Sequence, residues 1–193
     1  MKWLGPSVGR HDSIAGRLDV RPAVDAAELL AKPVQVALAA LPGDLAARCA
    51  VAEIDPTLAD TAAMCQHYQV PLRASANCVV VTGKRAGEQR WAGCVVLATT
   101  RVDVNGVVRR RLDVRKASFA AQDEAVEQCR MEYGGITPLG LPQEWPVLLD
   151  AAVAGAEQVI VGSGLRCSKL LLPGAVLAAL PGAEIVEGLG RPV

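Results

Sequence analysis

The stretch that decides the fold is ASANCVVVTGKRAGEQRWAGCVVLAT, residues 74–99. Two apolar, Val-rich segments, Ala74 to Val81 and Trp91 to Thr99, flank a polar connection that contains two glycines. This pattern is typical of a β-hairpin with a charged tip. Both arms are nearly continuous in Val, Cys, Ala and Leu, so we expect them to lie at the centre of a sheet. Helices must therefore pack on both faces of this hairpin.

Downstream of the hairpin, the pattern alternates between helices and strands. A short helix capped by Asp150 is among the helices that we expect. The other predicted helices are 105–112, 122–131 and 173–180, and the predicted strands are 115–119, 147–149, 158–162, 168–172 and 184–186. A mixed sheet flanked by helices, an α/β (α+β) architecture, is the natural arrangement of these elements.

Upstream of the hairpin, the elements are shorter. An extended segment from Ile14 to Val20 precedes an Ala/Leu-rich stretch, 22–41, which Pro33 divides into two short helices. Asp55 followed by Pro56 indicates the start of a further helix, which we expect to end near Val70.

The composition predicts a single domain over residues 1–193. The chain has 193 residues, of which 51% are hydrophobic, and this suffices for one sizeable core. Its 20 basic and 20 acidic residues cancel, so we expect neither DNA nor a membrane as a partner, and any RNA contact must be local. The chain begins without a secretory signal and contains no apolar run long enough to span a membrane, so we predict a cytoplasmic protein.

Cysteines and histidines give no metal-binding pattern. The six cysteines are scattered through apolar segments without a Cys-x-x-Cys pair, and neither His11 nor His67 has a cysteine at a zinc-site spacing. The segment Gly162-Ser163-Gly164 lacks the third glycine of a dinucleotide fingerprint. We therefore expect neither a metal nor a cofactor.

Two glycine-containing loops can present backbone N–H groups to a ligand. The loop YGGITPLG, residues 133–140, combines adjacent glycines, which permit close backbone approach, with a proline that fixes its exit. The loop at 162–164 follows an apolar strand and adds a serine hydroxyl. On composition alone, an ordinary tight connection remains the alternative for the first loop, and a hairpin turn for the second.

A basic cluster lies between the hairpin and the glycine-rich loop. Its members are Arg109, Arg110, Arg111, Arg115 and Lys116. They can meet phosphates, although the last turn of a helix also favours basic side chains.

Three segments together resemble the YbaK and prolyl-tRNA synthetase editing-domain family. They are ANCVVV (76–81), KASFA (116–120) and GGITPLG (134–140), and the Gly-x-x-x-Pro loop from Gly134 to Pro138 is the most specific of them. The resemblance covers roughly residues 50–190. It implies a mixed, partly barrel-like sheet flanked by helices, with an editing core at 49–190 and an N-terminal extension, residues 1–48, packed on it.

The resemblance also implies site residues. Gly134 and Gly135 would donate to the developing oxyanion, and Asn77 stands where the family usually carries a lysine, so we expect Asn77 to orient the substrate. The expected substrate-binding residues are Ile136, Thr137, Pro138, Gly162, Ser163 and Gly164. The basic cluster would contact tRNA.

Three hypotheses of function follow. The first is a trans-acting aminoacyl-tRNA deacylase, which hydrolyses the ester of tRNA mischarged with a small amino acid, without a metal or a covalent nucleophile. Its partners would be the 3′ end of aminoacyl-tRNA and, as a second candidate, an aminoacyl-tRNA synthetase. The alternative is a non-catalytic module of the same fold that binds tRNA 3′ ends, an amino acid or a protein partner. A hydrolase with Ser163 or Cys78 as nucleophile is the third, but no histidine is placed to act as its base.

Overall fold

A computed structural model describes residues 14–192 of the chain. The strands are β1 (Val20–Pro22), β2 (Ala50–Glu53), β3 (Ala76–Arg85), β4 (Glu88–Leu97), β5 (Thr100–Val102), β6 (Ala117–Phe119), β7 (Val147–Asp150), β8 (Val159–Gly162), β9 (Ser168–Leu172), β10 (Ala183–Val186) and β11 (Gly190–Pro192). The α-helices are α1 (Lys32–Ala40), α2 (Gly43–Ala46), α3 (Thr61–Tyr68), α4 (Arg109–Arg111), α5 (Gln122–Cys129), α6 (Ala151–Ala154) and α7 (Gly174–Ala178).

The strands form two main sheets and a small ribbon. One sheet has the order β1-β2-β9-β8, the other β10-β7-β4-β3-β6, and β11 pairs with β5. Because β7 is parallel to both β4 and β10 while the other pairs are antiparallel, the larger sheet is mixed. The predicted mixed-sheet α/β architecture is confirmed.

The hairpin at the centre of the larger sheet is confirmed, and it is longer than predicted. β3 and β4 pair over ten positions, from Ala76 opposite Leu97 to Arg85 opposite Glu88. The connection therefore shrinks to Ala86 and Gly87, both of which have positive φ. A two-residue turn of this kind matches the twist of the flanking strands. Residues 92–96 of β4 are buried, as expected for a central strand.

The two sheets approach each other beside the first half of β3. A single parallel bridge joins Ser75 to Ile160 of β8, whereas β6 pairs with β3 only from Val81 onward. Among the described residues, the edge of β3 between these two points has no strand partner. This part of β3 therefore presents a free strand edge beside β8.

Several upstream predictions were wrong. Residues 14–17 form a turn, and the extended strand starts only at Val20. α1 begins at Lys32 with Pro33 in its first turn, where a proline costs nothing, so the stretch before it holds two short 3-10 turns rather than a first helix. The helix expected after Asp55 is a 3-10 turn, Pro56–Leu58, and α3 has its own N-cap, Asp60.

The remaining predicted elements lie close to their expected positions. The predicted helix 105–112 is a π-helix, Val104–Val108, continued by α4. Asp150 caps α6 by accepting a hydrogen bond from the Ala152 N–H at 2.9 Å. No helix within residues 14–192 is long and apolar enough to cross a bilayer. Of the N-terminal extension, residues 1–13 lie outside the described residues, and the expected boundary at residue 48 stays a prediction.

Candidate active site

A cavity of about 890 Å³ opens beside this free edge of β3. Its walls are Ser75 with residues 76–80 of β3, the end of β8, the first turns of α3 and α5, and the glycine-rich loop. A volume of this size is typical of a site for one small-molecule ligand. The unpaired edge of β3 therefore lies inside a binding-sized cavity.

Asn77 lies in this cavity and is held by α3. Its Oδ1 accepts a hydrogen bond from the Thr61 hydroxyl at 2.7 Å. Thr61 is the first residue of α3, whose N-terminus is fixed by the Asp60 carboxylate through the N–H groups of Ala62 and Ala63. The side-chain NH2 group of Asn77 remains as a donor for a ligand, since Asn carries both an acceptor and two donor hydrogens.

The two predicted glycine loops contact each other through their backbones. The Gly164 N–H donates to the Gly135 carbonyl at 2.8 Å, and the Glu132 N–H donates to the Gly164 carbonyl at 2.8 Å. A Cβ at Gly162 would lie 2.2 Å from the Gly135 oxygen, and one at Gly135 would lie 2.6 Å from the Leu165 backbone. The close approach of the two loops thus explains why glycine stands at these positions.

The predicted site residues separate into two groups. Asn77, Gly134, Ile136 and Gly162 line the cavity. The others are buried behind its wall: Gly135, Thr137, Pro138, Ser163 and Gly164. Residues of the second group can shape the cavity, but they do not face it.

The backbone donors of the glycine-rich loop differ from the expectation. The Gly135 N–H donates to the Glu132 carbonyl at 2.9 Å, so it is not available to a ligand. Within the described residues, the N–H groups of Gly134 and Ile136 have no hydrogen-bond acceptor. Both residues line the cavity, so the Gly134 N–H is free as expected, and the second free N–H group belongs to Ile136 instead of Gly135.

Ser163 takes part in a buried hydroxyl chain. Its Oγ lies 2.7 Å from Ser168 Oγ, which donates to the Leu29 carbonyl at 2.6 Å. This chain joins the end of β8 to the segment before α1. The Ser163 hydroxyl thus has several protein partners, and Ser163 lies outside the cavity lining.

Two cations of the cavity were not identified from the sequence. Lys169 in β9 and Arg166 before it both line the cavity. The Arg166 guanidinium donates to the carbonyls of Tyr133 at 2.9 Å and Pro56 at 3.2 Å, which braces the glycine-rich loop against the segment before α3. The sequence signal for Lys169 was a single charged residue in the segment SKLLL, which otherwise carries no charge. All five residues of this strand are buried.

Two exposed aromatic side chains lie at the cavity. Phe119 is 60% exposed and Tyr133 is 55% exposed, and both line the cavity. Their exposed faces give the cavity two aromatic surfaces on which a planar group can pack.

The basic cluster lies outside the cavity lining. Arg111 forms an ion pair with Glu184 at 2.6 Å, and Arg109 donates to the Asn105 carbonyl at 2.8 Å. Arg110, Arg115 and Lys116 are exposed. β6 leads directly from Lys116 to Phe119 at the cavity, a span of roughly 10 Å for three residues of extended chain.

Cys78 lines the cavity as a protonated thiol. Burial raises its pKa well above the usual range, and the neighbouring Cys94 and Cys129 raise it further. A thiolate nucleophile is disfavoured by these surroundings. Within residues 14–192, no three His, Cys, Asp or Glu side chains are grouped so that they could hold a metal ion.

The fold is similar to that of several solved structures. A candidate trans-editing enzyme for prolyl-tRNA synthetase matches with a TM-score of 0.67 and 20% identity, over 84% of this chain and 99% of that one. A scaffold protein from epitope grafting by computational design matches with a TM-score of 0.68 and 20% identity, over 83% and 97%. Hypothetical protein APE2540 matches with a TM-score of 0.63 and 20% identity, over 73% and 90%.

The sequence also matches a family. Residues 55–180 match the family described as "Aminoacyl-tRNA editing domain", and this stretch contains every cavity residue from Thr57 to Lys169. Because the match spans more than half of the 193 residues, the chain belongs to the aminoacyl-tRNA editing domain family, whose activity is the hydrolysis of aminoacyl-tRNA.

Proposed function

We propose that this protein is a trans-acting deacylase, which hydrolyses the ester between a small amino acid and the 3′ end of a mischarged tRNA. The observation that carries the proposal is the cavity, where two N–H groups without acceptors, those of Gly134 and Ile136, share a space with Asn77. The structurally similar protein described as a candidate trans-editing enzyme for prolyl-tRNA synthetase supports action in trans.

The walls of the cavity support a small aminoacyl group. About 890 Å³ accommodates one ligand of small-molecule size, so the ester and the terminal ribose of the tRNA fit in it together. Beside the glycine-rich loop the wall includes Ile136 and Gly162, and Gly162 is held in contact with the Gly135 backbone. We expect this fixed wall, rather than the volume of the cavity, to select a short amino-acid side chain.

Hydrolysis at this site would follow from positioning and hydrogen bonding. Water attacks the ester carbonyl carbon, the carbonyl electron pair moves to oxygen, and the N–H groups of Gly134 and Ile136 donate to that oxyanion. Collapse breaks the bond to the ribose oxygen, which receives the proton lost by the water. A ribose hydroxyl helps to place the water, and Asn77, oriented by Thr61, holds the ribose or the ester.

The mouth of the cavity fits a nucleotide. The exposed rings of Phe119 and Tyr133 offer faces on which the terminal base of the tRNA can stack, an interaction worth about 1–3 kcal/mol per base. Directly before β6, exposed Arg115 and Lys116 lie close enough to meet the preceding phosphates. The basic cluster and the aromatic mouth thus support approach of a single-stranded tRNA end.

A non-catalytic binding module is the second candidate function. Asn77 carries no charge with which to polarise an ester, and the Gly135 N–H is engaged by Glu132. These two observations argue against catalysis, but they leave the capacity of the cavity to bind a ligand intact.

Deacylation of a panel of mischarged tRNAs separates the two candidates. The panel contains tRNAs charged with alanine, cysteine or serine, and the proline tRNA is one of the acceptors. Several tRNAs that carry a large aromatic residue serve as the size control. We expect turnover of at least one small aminoacyl species and none of the aromatic ones. Saturable tRNA binding without turnover of any species would instead support the binding module, and absence of both would contradict both candidates.

A further inference from the structure

Lys169 is a buried cation in the middle of an apolar sheet. It lies in β9 between β2 and β8, opposite Ala52 and Gly162, and it is only 5% exposed although it lines the cavity. Directly opposite residues of paired strands share a face of the sheet. Lys169 and the cavity residue Gly162 therefore occupy the same face, on which the backbone of Gly135 and Ile136 packs against Gly162.

The protein partners of Lys169 do not neutralise it. Its Nζ donates one hydrogen bond, to the Ala59 carbonyl at 2.9 Å. Among the described residues, it forms no ion pair, although the Asp60 carboxylate lies near enough to favour its charge and Arg166 opposes it. An ammonium group has three donor hydrogens. Two of them remain for whatever enters the cavity.

Burial of the Lys169 ammonium group destabilises the folded protein. Burial disfavours the charged form, and it lowers the pKa of Lys169 from its usual value. A lysine at this buried position, where an apolar residue would avoid the loss of solvation, indicates a ligand that carries negative charge. Such a ligand offsets the loss of solvation.

We propose that Lys169 is a further catalytic residue, whose ammonium group donates a hydrogen bond to the ester carbonyl oxygen of the substrate as negative charge develops on it. This role rests on the proposed deacylase function. In the step it assists, water adds to the carbonyl carbon and the π electron pair moves to oxygen. The pair returns as the bond to the ribose oxygen breaks, and that oxygen takes the proton released by the water, so Lys169 keeps its own protons throughout.

The depth of Lys169 favours the ester oxygen over a phosphate. A tRNA phosphate stays strongly hydrated and belongs at the mouth, where Arg166 is half-buried and the aromatic rings are exposed. Lys169 also fixes Ala59, two residues before Thr61, which holds Asn77. The cation, the amide of Asn77 and the loop between them thus border one part of the cavity.

Single-turnover deacylation tests this role with Lys169→Met, which keeps the length of the side chain, and Lys169→Gln, which keeps a donor without the charge. We expect Lys169→Met to lower the rate constant of the chemical step by roughly 100-fold with a KM within about threefold of wild type, and Lys169→Gln to lie between them. Lys32→Met, at an exposed position in the first turn of α1, is the matched control and should not change the rate. An unchanged rate constant in Lys169→Met would overturn the assignment, and a rise in KM alone would assign Lys169 to ground-state phosphate binding instead.

A binding measurement distinguishes failure of this inference from failure of the deacylase proposal. The probes are two analogues of aminoacyl-adenosine, one a neutral amide and one an anionic, tetrahedral phosphonate. Wild type should bind the phosphonate at least roughly tenfold more tightly than the amide, and Lys169→Met should abolish that preference. If wild type deacylates none of the tRNAs but shows the preference, the deacylase proposal fails and the anion site at Lys169 stands. If wild type binds both analogues equally, the role of Lys169 is wrong.

Discussion

The Thr61 hydroxyl donates a hydrogen bond to Asn77 Oδ1 at 2.7 Å, which joins the first turn of α3 to the unpaired edge of β3 inside the cavity. An amide side chain can present either its oxygen or its nitrogen to a ligand. Because the oxygen of Asn77 is engaged by Thr61, the nitrogen is the group offered to the substrate. The local arrangement therefore makes Asn77 a donor.

Thr61→Val should impair the site through Asn77. The substitution preserves shape and removes the hydroxyl, and a hydrogen bond of this kind contributes about 1 kcal/mol, so we expect a roughly fivefold lower deacylation rate. Asn77→Ala should be more severe, and the double variant should be no worse than Asn77→Ala because the two residues act as one unit. Thr82→Val is the control: Thr82 lies in β3, as Asn77 does, and its hydroxyl donates to the Arg90 carbonyl of β4. This substitution should leave the rate unchanged. Additive effects in the double variant would show that Thr61 acts independently.

Gly162→Ala should destabilise the protein by about 2 kcal/mol, since the added Cβ would lie 2.2 Å from the Gly135 oxygen and neither backbone can move freely. Gly155→Ala is the control, because a Cβ there meets only the Ala151 oxygen at 3.4 Å. Urea unfolding gives both free energies of unfolding. Equal midpoints for the two variants would mean that the loops are not held against each other as described.

Lys169→Met should change the pH dependence of stability in a defined direction. Burial lowers the pKa of Lys169, so between the lowered value and the ordinary lysine pKa of about 10.4 the unfolded chain binds more protons than the folded one. The contribution of Lys169 to the free energy of unfolding therefore rises with pH in that window. The stability of Lys169→Met relative to wild type should fall as the pH is raised from neutral towards the ordinary lysine pKa, as followed by thermal unfolding. A relative stability that rises with pH would mean that the Lys169 pKa is raised instead.

Neutralising the exposed part of the basic cluster should weaken tRNA binding and make it less dependent on salt. For a single strand, each phosphate that the protein neutralises adds about 0.7 to the steepness of log K against log salt concentration. We expect the variant with Arg110, Arg115 and Lys116 changed to Ala to have a slope that is shallower by roughly 1–2. Arg48→Ala, an exposed arginine upstream of β2, is the control. A slope equal to that of wild type would mean that the tRNA phosphates do not contact these three residues.

The hairpin and the two glycine loops could be predicted because each is encoded locally. Turn residues between Val-rich arms identify β3 and β4, and adjacent glycines identify a loop where backbones approach closely. β2, in contrast, was missed, because Ala50–Glu53 is a short run without turn residues before it and its burial depends on pairing with β9, more than 100 positions away.

The residues that line the cavity could not all be predicted, because contacts between residues far apart in the sequence bring them together. Lys169 contacts Ala59 and Arg166 contacts Pro56, each across 110 positions of sequence. Such pairs are fixed by the order of strands in the sheet, which a single sequence does not reveal. The engagement of the Gly135 N–H by Glu132 is likewise a property of the folded loop rather than of its glycines.

The most direct test of the central claim, that deacylation takes place in the cavity beside the glycine-rich loop, compares Gly134→Ala with Gly87→Ala. Both glycines have nearly the same positive φ, +83° and +87°, so both substitutions place an alanine where a side chain is disfavoured. A Cβ at Gly134 lies in the cavity, 2.9 Å from Arg166 Nη1, whereas one at Gly87, at the hairpin tip, meets nothing within 4 Å.

The rate of amino-acid release from a mischarged tRNA should therefore fall by roughly 100-fold in Gly134→Ala and stay at the wild-type value in Gly87→Ala. Full activity in Gly134→Ala, or an equal reduction in both variants, would contradict the placement of the reaction in this cavity.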